Sequence, residues 1–88
     1  MLPPRPPKPT VIRSLWRMQG PSKVVCAQIR RHPAGRELVV FFEGAADDVL
    51  ETQFARLNFA VLDRRAEELR QLLNEKGWAP LAPARQPG

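Results

Sequence analysis

Residues 49–76 read VLETQFARLNFAVLDRRAEELRQLLNEK, and the way this stretch divides decides the fold. In its second part Phe59, Leu62, Ala66, Leu69 and Leu73 recur at spacings of three and four, which gathers them on one stripe of an α-helix over Asn58 to Lys76. Asp63, Arg64, Glu67, Arg70, Gln71 and Asn74 fall on the opposite side. Gly77 follows at once; without a Cβ it accepts the left-handed backbone that ends a helix. The first part, Val49 to Arg56, has two readings. As a strand it alternates, with Leu50, Thr52 and Phe54 against Glu51 and Gln53. As a helix it starts at Asp48 with Glu51 three residues on, a fair capping pair, and Leu50, Phe54, Leu57 and Val61 share a face. Periodicity alone leaves open one long helix from Val49 to Lys76. The strand is preferred, because a single hairpin offers too little sheet to support a helix.

Upstream of this stretch the chain reads as strands. Thr10 to Met18 is rich in β-formers, and Trp16 with Met18 makes its more apolar side. The turn Gln19-Gly20-Pro21-Ser22 leads to a second strand, Lys23 to Arg31, in which Val25, Ala27 and Ile29 form a clean apolar face. His32-Pro33-Ala34-Gly35 closes a hairpin, with Gly35 suited to a left-handed bulge position. Glu37 to Glu43 follows, apolar on both faces: Leu38, Val40 and Phe42 on one, Val39 and Phe41 on the other. That pattern belongs to a central strand covered on both sides. Gly44 to Asp48 turns again.

The expected architecture is α+β: a small antiparallel sheet of three to four strands with one C-terminal amphipathic helix on one face. It occupies residues 10–78, between a proline-rich arm at 1–9 and a proline- and alanine-rich tail at 79–88, both expected to be disordered. The arm contains Pro3-x-x-Pro6-x-Lys8, a spacing that an SH3 groove accepts, although such tails need no reader. A single helix covers a single face. The far face of Glu37–Glu43 therefore needs another cover: the Trp16 segment, a second copy of the chain or a partner.

The net charge is +5, but Arg5, Lys8 and Arg85 of the two ends supply three of these charges. Between Thr10 and Phe42 six basic residues face Glu37 alone, whereas Glu43 to Trp78 holds five basic residues and eight acids. The first half is cationic and the helical half anionic, an asymmetry more telling than the total. The one cysteine, Cys26, excludes an internal disulfide. With no apolar leader after Met1-Leu2 and no run long enough for a membrane helix, a cytoplasmic setting without membrane contact is expected.

The run Leu15-Trp16-Arg17-Met18, Gly20-Pro21-Ser22, Val24-Val25-Cys26, followed by Asp47-Asp48-Val49-Leu50 and by Ala66-Glu67-Glu68 with Arg70-Gln71, resembles small uncharacterised bacterial proteins in which three strands precede one helix. The resemblance spans about Leu15 to Gly77. It implies the strand reading of Val49–Arg56 and carries no function. The proline-rich head and the strongly apolar stretch from Arg31 to Phe42 are additional to that pattern.

Catalytic chemistry is not expected. His32 sits in a turn and Cys26 lies mid-strand, so about 6 residues at ~3.3 Å each keep them too far apart for a dyad. Asp47, Asp48 and Glu51 lack the alternating oxygen ligands and central glycine of a calcium loop. No phosphate-cradling loop and no zinc spacing appear, so neither cofactor nor metal is expected. The expected role is a non-catalytic protein-interaction module that self-associates as a homodimer or docks on a partner through the open sheet face. Trp16, Val39 and Phe41 are its anchors. The alternative is nucleic-acid binding by basic hairpins, with Arg17, Lys23, Arg30, Arg31 and Arg36 as contacts; the acidic helix speaks against it.

Overall fold

The computed structural model describes residues 10–81, apart from the side chains of residues 46 and 47. Four long strands run in succession: β1 (Val11–Gln19), β2 (Val24–His32), β3 (Gly35–Phe42) and β4 (Ala45–Ala55). The helix α1 (Ala60–Glu75) follows, and a short strand β5 (Ala79–Leu81) ends the described chain. Every pairing is antiparallel, and the sheet order is β4-β3-β2-β1-β5. The fold is thus α+β, and of the stretch Val49–Arg56 all but Arg56 belongs to a strand, β4, rather than to a longer helix. Two details differ from expectation. The helix is not the last element, because Ala79–Leu81, assigned to the tail, returns to pair with Arg17–Gln19. Among the described residues the sheet has five strands, the fifth only three residues long. The proline-rich arm at 1–9 and the tail beyond residue 81 lie outside the described residues.

The helix ends as its sequence dictates. Gly77 takes a φ of +94°. Its N–H donates to the Asn74 carbonyl, and the Trp78 N–H donates to the Leu73 carbonyl. These are the two bonds of a Schellman closure, which satisfy carbonyls the last turn leaves without partners. Leu62 and Ala66 are buried, and Phe59, Val61, Leu69, Leu73 and Trp78 pack around them. They lie on a face built from Val25, Ala27 and Ile29 of β2 and from Leu38 and Val40 of β3. β3 runs between β2 and β4, the central place its two apolar faces require.

Gly35 has a different reason from the one its turn position implies. It does not adopt a positive φ, unlike Gly44 and Gly77. Instead β4 crosses directly against it: a Cβ on Gly35 would stand 2.3 Å from the Ala55 carbonyl oxygen and 2.9 Å from the Arg56 Cα. Both neighbours are backbone, so the strands themselves would have to move apart. Gly35→Ala is therefore expected to destabilise the fold by about 1–3 kcal/mol, the usual cost of overpacking. Gly35→Asn should cost at least as much, whereas a left-handed position would favour Asn over Ala. Urea unfolding midpoints of the two variants distinguish the explanations.

Candidate functional site

The sheet carries its helix on one face only. On the other face Cys26, Val39 and Phe41 form a second small cluster with Val24 beside it. No described helix or strand lies over this cluster, yet Val39 is 1% and Phe41 8% exposed. Their cover comes from neighbouring side chains of the same sheet. The Arg30 guanidinium stands 5.2 Å from the Phe41 ring centroid, and its Nε donates to Gln28 Oε1 at 3.2 Å. Arg17 pairs with Glu43 at 2.6 Å on the strand position opposite Cys26. Long cationic side chains thus lay their stems and planar heads over apolar surface while staying wet at the rim.

This changes the expected anchors. Val39 and Phe41 do face the open side, but as buried residues rather than exposed ones. Trp16 is on the other face altogether. It sits opposite Ala27, packs against the helix-side core, and its Nε1 donates to the Ala66 carbonyl at 3.0 Å. Trp16 is a strut between β1 and α1, and the structure does not bring it together with Val39 and Phe41.

The exposed apolar residues lie instead along β4, the outermost strand. Glu51 makes a fork-to-fork pair with Arg65 of α1, Nε to Oε2 and Nη2 to Oε1 both at 2.7 Å, and Arg65 also reaches Glu68 at 3.1 Å. Glu51 therefore points toward the helix, and alternation turns Thr52 the other way; Leu50 lies at a register shift, between Glu51 opposite Val40 and Val49 opposite Phe41. Thr52 is opposite Val39 and Phe54 opposite Glu37, which places both on the open face. Leu50 is 52% and Phe54 45% exposed. Phe54 rests its ring on His32, centroids 4.6 Å apart. Glu51 and Gln53 thus face the helix side, opposite Val40 and Leu38, while the aromatic ring of Phe54 faces the open side. The sequence displayed the alternation but held no sign of which face the helix would take.

The five basic residues expected to contact nucleic acid are divided among several surfaces. Arg17 is tied to Glu43 and Arg30 lies flat on Phe41. Lys23 stands 4.7 Å over the Phe42 ring at the opposite end of β2. Arg31 and Arg36 face each other across the hairpin, and Arg36 covers Phe59 at 4.4 Å. Only this last pair, with Arg56 beyond it against Gly35, makes a concentration of positive charge.

Burial pushes the Cys26 thiol pKa up, the Glu43 carboxylate adds to the rise, and Arg17 opposes it. A thiol held protonated is a poor nucleophile. Among the described residues no three His, Cys, Asp or Glu side chains gather as a metal site, and no helix is long and apolar enough to cross a membrane. No family model, curated protein or solved structure matches the chain.

Two outcomes follow. Phe41→Ala should cost about 3–5 kcal/mol as a core truncation, seen as a lowered denaturation midpoint in circular dichroism; a merely exposed ring would leave that midpoint in place. The Arg65 hydrogen bonds, outweighing partial burial, hold the Glu51 carboxyl below its ordinary value of 4.5. A depressed carboxyl contributes stability that is complete above that value and is lost as pH falls through the folded-state value. Glu51→Gln should therefore remove part of the acid-side loss of stability, measured by urea unfolding from about pH 7 down to about pH 3.

Proposed function

We propose that this protein is a small non-catalytic interaction module that self-associates through the open side of its sheet, at the β4 margin. What carries the reading is the inverted facing of β4. Phe54 points away from the helix, Val49 stands opposite Phe41 of the open face, and both are exposed on an outer strand of 11 residues. Exposed apolar side chains on a long unpaired strand edge are a hazard unless something occupies them. The raised thiol pKa of Cys26 and the separation of Cys26 from His32 along β2 support a role without covalent chemistry. A reducing, cytoplasmic setting suits the single free thiol, and the resemblance to small bacterial β-β-β-α proteins belongs with this reading.

A second reading keeps one specific observation. Arg31 and Arg36 stand directly opposite one another at the hairpin end, a like-charge pairing that costs stability unless an anion lies near. A nucleic-acid backbone is the alternative occupant of that end.

Both readings are tested by the solution mass of the full chain by light scattering, with and without a random DNA duplex. The expected result is a dimer indifferent to duplex and reduced to monomer by Phe54→Asp. Loss of a central aromatic anchor typically costs at least about 30-fold in affinity, and circular dichroism should stay native because the ring is half-exposed. A monomer unaffected by Phe54→Asp refutes self-association. Duplex binding abolished by Arg31→Glu with Arg36→Glu would install the second reading instead.

A further inference from the structure

Resting on the self-association reading, the backbone geometry points to the form the dimer takes: the regular run of β4, residues 51–55, pairs antiparallel with the same run of a second copy, with Gln53 on the two-fold axis. The Glu43 N–H donates to the Val24 carbonyl at 2.8 Å, and β2 pairs with β3 without a register shift. Antiparallel partners alternate between hydrogen-bonded and non-hydrogen-bonded pairs, so Glu37, Val39 and Phe41 turn their backbone polar groups toward β2. Arg36, Leu38 and Val40 turn theirs toward β4, where Ala55, Gln53 and Glu51 stand opposite them. Thr52 and Phe54, the residues between, therefore aim their N–H and C=O groups at the outer side of β4, the edge of the sheet. Among the described residues nothing pairs with them there.

The run has definite ends. Against β3 the register skips at Leu50 and again between Val49 and Ala45, irregularities of the kind that turn an edge away from further pairing. At the other end β4 stops at Ala55. A strand that pairs with its own copy must pair self-complementarily, residue i opposite j and j opposite i. Centred on Gln53, Thr52 of each copy meets Phe54 of the other. Both aim backbone groups across the gap, so each such pair exchanges two N–H···O bonds, and symmetry repeats them. Any other central residue sends Thr52 or Phe54 against the irregularity at Leu50 or past the end of the strand at Ala55. Only the Gln53 register satisfies every outward group of the run from within the run.

The side chains agree with this register. Thr52 and Phe54 lie on the open face, where an aromatic ring beside a β-branched neighbour stabilises a cross-strand pair. Glu51 meets Ala55, so no like charges are opposed, and Gln53 meets Gln53 on the helix side, amide to amide. The other outer edge offers no equivalent run. β5 occupies Arg17–Gln19, and the rest of β1 is irregular between Val11 and Arg13 and between Ser14 and Trp16. The two sheets thus join as one, with both helices on the same side.

Cross-linking and removal of one donor test this on the full chain. On a Cys26→Ala background, which has no other thiol, Gln53→Cys sets two thiols at a non-hydrogen-bonded pair with Cα atoms ~4.5 Å apart. Diamide should convert it to a covalent dimer. Thr52→Cys should not cross-link, because the offset along the strand holds its two copies more than about 7 Å apart. Thr52→Pro should weaken the dimer about tenfold or more in sedimentation, since the lost N–H is missing at two symmetric places. Circular dichroism should stay native, because that N–H points away from β3; if the native spectrum is lost, the cysteine pair decides. A dimer that a folded Thr52→Pro leaves intact, or a dimeric chain that Gln53→Cys fails to cross-link, overturns the edge pairing while self-association stands. A wild-type chain that stays monomeric at every concentration removes the edge pairing and the association reading together.

Discussion

The two-point contact between Glu51 and Arg65 fixes the arrangement on which the remaining surface depends. Hydrophobic pattern alone would turn Leu50 and Phe54 toward α1, the one element available to bury them. A one-residue change of register moves every side chain of a strand to the opposite face. The guanidinium fork holds the opposite choice, with both nitrogens within 2.7 Å of carboxylate oxygens and Glu68 steadying the third. A bidentate, charge-assisted contact is directional in a way that burial is not. The fold therefore keeps a polar clasp between β4 and α1 and places apolar side chains at an open margin. The helix-side core is drawn from β1, β2 and β3, with Ala55 the one buried contribution from β4.

The same economy governs the rest of the open face. A core this small cannot supply a second helix for Val39 and Phe41. Arg30 and Arg17 take that place, their long stems crossing the apolar centre and their heads tied to Gln28 and Glu43. The cationic bias of the first half of the chain, readable as a footprint for an acidic partner, is in large part spent on this cover. Arg36 over Phe59 and Lys23 over Phe42 extend the pattern to the other face. Cations serving as lids on aromatic rings occupy much of the first half's positive charge, and of its six basic residues leave Arg31 without an ion pair or ring partner among the described residues.

Much of the fold was legible in local chemistry. The helix stripe, the Gly77 terminator and the doubly apolar β3 each follow from spacing within one element. What was not legible lies between elements. Trp16 and Met18 were correctly grouped as one side of β1, but nothing in β1 says that this side meets α1 rather than the open face; the pairing of Trp16 with Ala27 decides it. Gly35 occupies a turn where left-handed backbone is the usual reason for glycine, while its actual constraint is the backbone of Ala55, 20 residues away in sequence. β5 was hidden because Pro80 is a poor strand residue, tolerated only because this strand forms an edge. Of the candidate site, the alternation of Thr52 and Phe54 was visible, but the register shift that breaks it at Leu50 and the contact of Glu51 with Arg65, 14 residues apart, were not.

These separate departures converge on one strand. Irregular pairing protects the first half of β4 and the first half of β1, and β5 caps the remainder of β1. Among the described residues only the second half of β4 combines regular backbone, a free edge and an outward aromatic ring, that of Phe54. A sequence under pressure to stay monomeric would place a lysine or an inward-facing unpaired charge there. Here the inward charge, Glu51, is neutralised by Arg65, which leaves that stretch of edge without a guard.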